Sequence, residues 1–280
     1  MDVYQRVADT IVSAIENNPG DVQLPWHRAG ANGIPINIKS GNHYQGINIL
    51  NLWVEAQVKH YTSAEWGTYK QWQERGCQVK KGERSSIIVF YKKIEFEDDE
   101  GEKQERPMIR ASFGFNADQV DGYERPELEG DPIDRIEKAD QYVKATGAQI
   151  VPGGAVACYR HSTDTVHMPD EERFFDTETS SRTEGYYSTL FHELTHWTGV
   201  KDRLNRDMGS RFGDDTYAME ELVAELGSAF QCAKLGITPE PRLDHAQYIK
   251  HWLDVMKKDK KAIFTTAAKA QQAVQYLSPD

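Results

Sequence analysis

The stretch Phe191-His-Glu-Leu-Thr-His-Trp-Thr-Gly199 (FHELTHWTG) decides how the second half of this chain is read. Residues four apart share one face of a helix, so His192 and His196 can aim two imidazoles at one point. Glu193 stands beside them, within reach of a water held there. That arrangement suits a metal ion that activates water. A His-Glu-x-x-His string also turns up by chance in on the order of a few per cent of chains this long, so its neighbours have to decide.

The neighbours favour a site. Tyr186 through Phe191, with Leu194, give the helix an apolar side to bury, leaving the His/Glu side for a cleft. Upstream, Asp164 to Met168 reads as a short strand of the kind that lines a substrate as an edge. Downstream, Ala218 to Phe230 (AMEELVAELGSAF) reads as a helix whose carboxylates follow His196 by 24, 25 and 29 residues. A catalytic zinc held by two histidines needs a third protein ligand and an open fourth position. Glu221 is the expected third ligand. Glu225, one turn on, is the alternative ligand or the hydrogen-bond partner of a ligand histidine. Glu220, about 100° away around the helix, is expected at the surface or as a cap. Tyr186 and Tyr187 are candidate oxyanion donors, although packing is the commoner use of such a tyrosine. Ligand type favours Zn2+, with Mn2+ or Co2+ as alternatives. With Glu193 as base, the chemistry is metal-assisted peptide hydrolysis.

The rest of the chain reads as a soluble globular protein. Its 280 residues are 39% hydrophobic and 28% charged, and no apolar run approaches the roughly 20 residues of a membrane span. The amphipathic start, MDVYQRVADTIVSAIENN, is not a secretory signal. Cys77, Cys158 and Cys232 form neither a disulfide framework nor a cysteine-based zinc site, so the expected compartment is the reducing cytoplasm. Charge divides the chain: residues 1 to 93 carry 11 Lys+Arg against 8 Asp+Glu, and the remainder 22 against 36. Two modules with different partners are expected, and only the first is suited to a polyanion.

In that first module, helices are expected at residues 2 to 17 and 47 to 58. Another is expected to start near Ser63 and carry Trp66, Tyr69 and Trp72 on one face. A hairpin should follow, with strands from Ser85 to Phe96 and Met108 to Asn116 and an acidic tip between them. Lysines, arginines and aromatic residues alternate here in the mixture that holds single-stranded nucleic acid. The candidate DNA contacts are Lys39, Tyr44, Trp66, Tyr69, Lys70, Trp72, Arg75, Lys80, Lys81, Arg84, Tyr91 and Lys92. An equally good reading makes the aromatics core and the lysines a solvated face. The polar stretch from Gln119 to Asp134 looks like a linker, which divides an α+β protein into residues 1–128 and a mainly helical 129–280.

Taken together, these segments resemble the ArdC-type antirestriction proteins, and the front end is also similar to the N-terminal region of TraC-type primases. The resemblance rests on Tyr44-Gln-Gly-Ile-Asn48, Trp66-Gly-Thr-Tyr-Lys-Gln71, Phe90-Tyr-Lys92 and Phe115-Asn-Ala-Asp-Gln-Val120. It continues through Tyr187 to Gly199, Arg203, Arg206 and Tyr217 to Leu226. It implies an N-terminal single-stranded-DNA-binding domain and a C-terminal zincin-like, gluzincin-like metallopeptidase domain. It also implies carriage on a plasmid and protection of DNA entering by conjugation from host restriction, with a host protein as the substrate of any proteolysis. His192, Glu193 and His196 carry over directly, and the acidic helix supports Glu221. Two other functions fit the residues: a DNA-binding protein whose metal site is structural or vestigial, and a cytosolic metallopeptidase whose front domain recognises protein.

Overall fold

The computed structural model describes residues 2–17, 33–97, 103–124, 132–153, 156–176, 180–209, 215–237 and 246–278. The expected domain boundary at residue 128 lies outside these. The chain is α+β, as its patterning requires.

Helix α1 (Val3–Glu16) is capped by Asp2, whose Oδ1 accepts from the Tyr4 N–H at 3.0 Å, and it buries Val7, Ala8, Ile11 and Ile15 at helical spacing. Helix α2 (Ile47–Val58) is apolar nearly all round and is buried accordingly. A four-stranded sheet runs in the order β1 (Ile36–Asn37), β2 (Glu65–Gly67), β5 (Lys103–Asn116), β4 (Ser86–Glu97). The open edge of β4 is closed by α2 side chains. Asn48 donates to the Val89 carbonyl at 2.8 Å and accepts its N–H at 2.7 Å, while Asn51 donates to Ile87 O at 2.9 Å. These amides occupy the polar groups that an exposed edge would offer to another chain.

Two expectations for this half are corrected. Glu65-Trp66-Gly67 is strand β2, and the helix begins only after it, as the short α3 (Tyr69–Glu74) with a capping box between Thr68 and Gln71. Thr68 supplies the cap that the sequence reading gave to Ser63. The hairpin ladder also runs into the expected acidic tip, as far as the pair Glu97 and Lys103. A small two-stranded sheet, β3 (Gln78–Val79) with β6 (Val120–Asp121), completes this half.

In the second half, α4 (Pro132–Ala145) precedes a three-stranded sheet ordered β7 (Gln149–Pro152), β9 (Thr165–Met168), β8 (Cys158–Arg160). The strand from Thr165 is therefore central, and the edge beside the candidate site is β8. Four helices follow: α5 (Arg182–Trp197), α6 (Asp215–Leu235), α7 (Ala246–Lys258) and α8 (Ala262–Leu277). A capping box between Ser181 and Glu184 starts α5.

The two halves share their largest core. Residues of α1, α2 and β4 pack with Leu222, Leu226 and Phe230 of α6, Trp252 of α7 and Phe264 of α8. Trp53 and Phe230 meet edge to face at 5.6 Å between ring centroids, a contact that contributes about 0.5–1.5 kcal/mol beyond its burial. A second core lies under α5, where Leu190, Phe191 and Leu194 cover Val166 and Met168 of β9.

Candidate metal centre

Helix α5 places Phe191, Leu194 and Trp197 in the second core, and this turns His192 and His196 toward α6. The two helices approach closely because Gly227 of α6 faces Thr195. A Cβ at Gly227 would lie 2.6 Å from Thr195 Oγ1 and 2.7 Å from its Cγ2. Thr195 is fully buried and fixed, its hydroxyl donating to Phe191 O at 2.8 Å and accepting from Gln231 Nε2 at 3.0 Å.

At this crossing His192 Nε2 and His196 Nε2 lie 3.1 Å apart. Glu221 places Oε2 at 3.4 Å from the first and Oε1 at 3.6 Å from the second. Donor atoms around a tetrahedral ion at ~2.05 Å are ~3.3 Å apart, so these three groups have the spacing and the chemistry to hold a divalent cation. Among the described residues, this is the cluster of His, Cys, Asp or Glu that could do so. Glu225 Oε2 lies 3.9 Å from His192 Nδ1, behind the ring.

Glu193, 4% exposed, accepts the backbone N–H of Tyr159 at its Oε2, at 2.9 Å. The edge strand β8 thus fixes the carboxylate next to the ligands. Arg203 stabilises that strand: it donates to the Tyr159 hydroxyl at 3.1 Å, pairs with Asp164, and lies over the Trp197 ring at 3.9 Å. Burial, together with the Asp164 carboxylate, pushes the Tyr159 phenol up to about 12.

Glu220 corrects the expectation of a surface position. It is 3% exposed, and its Oε1 lies 3.3 Å from His196 Nδ1. Arg206 grips both of its oxygens, with Nη2 at 2.7 Å from Oε1 and Nε at 3.0 Å from Oε2. Burial alone would pull the His196 imidazole down. The bond to Glu220 and the charges of Glu221, Glu220 and Glu193 outweigh it, so its pKa is raised. Glu220 is held below the carboxylate range despite its burial, by His196 and Arg206. The sequence hid this pair because Arg206 comes from the turn after the helix, where Gly199 leaves room for it: a side chain at 199 would collide with Met208 and with Arg206 Nη2.

The tyrosines do not join the centre. Tyr186 and Tyr187 stand about 120–140° around the helix from His192. The Tyr187 hydroxyl donates to Asp140, and Tyr186 packs on Phe174. Both line a separate cavity of about 400 Å³.

The candidate DNA contacts divide. Trp66 and Trp72 are buried, at 1% and 0% exposure, and Tyr44 at 9%, so their rings are core and cannot stack on bases. Trp72 Nε1 donates to Phe115 O at 3.1 Å, and the Tyr44 hydroxyl accepts from Asn37. Tyr69 and Tyr91 are exposed, as are Lys39, Lys70, Arg75, Lys80, Lys81 and Arg84. Several of these are engaged: Lys39 with Glu74 at 2.7 Å, Arg75 with Ile38 O at 2.7 Å and Lys80 with Asp118 O at 3.0 Å. Lys92 sits in β4, and its side chain lies outside those described. Phe90 and Arg110 are exposed on one face of the hairpin, and Phe113 is exposed on the other, with Tyr91.

A His-Glu-x-x-His helix crossed by an acidic helix and flanked by a short mixed sheet defines a protein of the zincin-like metallopeptidase class. Residues 137–269 match the family model of that name, and residues 1–117 match the N-terminal domain of anti-restriction factor ArdC. The crystal structure of the antirestriction ArdC protein from the R388 plasmid in its metal-free form is similar at 39% identity and a TM-score of 0.80, over 99% of this chain and 97% of that one. Its Mn(II)-bound structure is similar at 37% identity and a TM-score of 0.77, with the same coverage. The chain belongs to the ArdC antirestriction family. The uncharacterised protein y4eC of Sinorhizobium fredii is 42% identical over 99% of this chain and 91% of its own length. The DNA primase TraC of Escherichia coli is 32% identical over 98% of this chain, which spans 27% of that protein. Among the described residues, no helix is long and apolar enough to cross a membrane.

Proposed function

We propose that this protein binds single-stranded DNA on the exposed basic and aromatic surface of its first half, and hydrolyses a peptide bond at the centre formed by His192, His196 and Glu221. Together these would protect incoming plasmid DNA from restriction in the cytoplasm. The observation that carries the reading is the convergence of the two Nε2 atoms and Glu221 at 3.1–3.6 Å with Glu193 beside them. A divalent ion bound there supplies Lewis acidity, which acidifies a water and polarises a carbonyl. Zn2+ suits the ligand set, and the Mn(II)-bound relative supports a divalent metal in general.

The residues' own work follows from their positions. Glu193, oriented by the Tyr159 N–H, takes the proton of the attacking water at its carboxylate and returns it to the leaving amine.

Survival of unmodified DNA in a restricting host tests this, with wild type, Glu193→Ala, and a Lys70→Ala/Lys81→Ala/Arg84→Ala variant. Loss of protection in both variants supports the full reading. Protection that survives Glu193→Ala leaves a DNA-binding protein with a structural metal site. Absence of salt-dependent binding to single strands points instead to a peptidase whose front half recognises protein.

A further inference from the structure

Both candidate ligand histidines have a carboxylate of α6 behind them, but the two are held differently. Glu225 lies 3.9 Å behind His192, whereas Glu220 is 3.3 Å from His196 Nδ1 and is itself clamped by a guanidinium. Arg206 is 9% exposed, and its donors beyond the Glu220 fork are also used: Nη1 donates to Thr198 Oγ1 at 2.7 Å, and Nη2 donates to Thr195 O at 2.7 Å. Thr195 and Thr198 flank His196 on the same helix end. The guanidinium therefore ties the last turn of α5 to α6 through the carboxylate that fixes the His196 ring. With both histidines neutral, the buried charges of Glu193, Glu220, Glu221, Glu225 and Arg206 amount to −3, which a divalent cation brings to −1. Arg206 keeps this acidic cluster tolerable without competing for the cation, because its planar fork is filled by Glu220 and the helix end.

We propose that Arg206 and Glu220 are a positioning pair for the metal: they hold His196 with Nε2 aimed at His192 and Glu221, and through this they set metal affinity. The inference rests on the metal-centre reading above and deepens it. Neither residue touches the ion. Glu220 fixes the tautomer and rotation of the ring, and Arg206 fixes Glu220. A carboxylate behind a ligand histidine typically governs metal affinity by 10–100-fold.

The test is Zn2+ affinity of the full chain, measured by competition with a chromophoric chelator, for wild type, Glu220→Gln, Arg206→Met and Arg206→Lys. The absorption spectrum of the Co2+-loaded proteins is recorded alongside. Asn51→Ala, which removes a buried bond to Ile87 in the first half, serves as a control for simple destabilisation. We expect Glu220→Gln and Arg206→Met to bind about 10–100-fold more weakly with altered Co2+ bands. Arg206→Lys, which keeps the charge but loses the fork, should fall between them and wild type. Asn51→Ala should lower the melting temperature and leave affinity and bands unchanged. Glu220→Gln is isosteric, so it keeps the test open if Arg206→Met does not fold. Wild-type affinity and bands in folded Glu220→Gln would overturn the positioning role while leaving the metal centre standing. A wild type that takes up no Zn2+ would overturn both.

Discussion

Replacing Gly227 by alanine probes the approach of α5 to α6 on which the whole centre depends. The new methyl would meet Thr195 Oγ1 at 2.6 Å and Cγ2 at 2.7 Å, where ordinary contacts begin near 3.4 Å. Thr195 is fixed by hydrogen bonds at both ends, so the helices rather than the side chain must give, by roughly 0.7 Å. Overpacking of this kind costs about 1–3 kcal/mol, and the firmly held partner argues for the upper part of that range. Alanine in place of glycine returns about 1 kcal/mol in helix propensity. The net loss is about 1–2 kcal/mol, a fall of roughly 2–8 °C in melting temperature. The same displacement widens the 3.4 and 3.6 Å gaps from Glu221 to His192 and His196, so Zn2+ affinity should drop with stability. Thermal unfolding and chelator competition read the two effects. Thr195→Ala removes both clashing atoms, so the double variant should be less destabilised than the sum of the single ones. A Gly227→Ala protein that melts higher than wild type and binds Zn2+ as tightly would refute the claim that this crossing sets the donor spacing.

Four further outcomes are expected from other parts of the structure. Chelation should lower the melting temperature of the loaded protein, because the ion relieves the buried acidic cluster. At free metal near 100 times its dissociation constant the loss is about 2.7 kcal/mol, and His196→Ala should abolish the difference, as read by calorimetry with and without chelator. In a salt titration of single-strand binding, Lys70→Ala/Lys81→Ala/Arg84→Ala should reduce the log–log slope by about 2, at about 0.7 per phosphate. Trp72→Ala should cost about 3–5 kcal/mol of folding stability, measured in urea, because the ring is core. Asp164 is held below the usual carboxylate range chiefly by its bond to Arg203. Its folded pKa is depressed, so the stabilisation it provides is present above about pH 4 and is lost as pH falls through the folded value. Acid unfolding of Asp164→Asn should show a smaller pH dependence in that range than wild type.

Local spacing was enough to place several features. Valines and isoleucines at helical intervals gave α1 its extent, and the unbroken apolar run from Ile47 gave α2. His192, Glu193 and His196 share a helix face whatever surrounds them, because the period of the helix alone decides it. The same period kept Glu221 and Glu225 on one side of α6. It misled at Trp66 and Trp72, where a three-residue spacing looked helical although Trp66 lies in a strand and the helix of Trp72 starts only after the Thr68 cap. Burial of the Trp72 ring depends on Ile38, Val79 and Ala117 arriving from distant segments, and Trp66 is buried in the larger core with residues of α1, α2 and β4.

What the sequence determined by itself is two motifs, a His-Glu-x-x-His helix and an acidic helix, since each is a matter of periodicity within one element. The tertiary structure decided which carboxylate faces which nitrogen. Helical phase sets only the angle between Glu220 and Glu221. The crossing at Gly227 and Thr195 turns one toward the Nε2 atoms and the other toward the back of His196, and the turn after Gly199 brings in Arg206 to hold it there. Those contacts join residues far apart in the chain, and they exist only once the helices have packed.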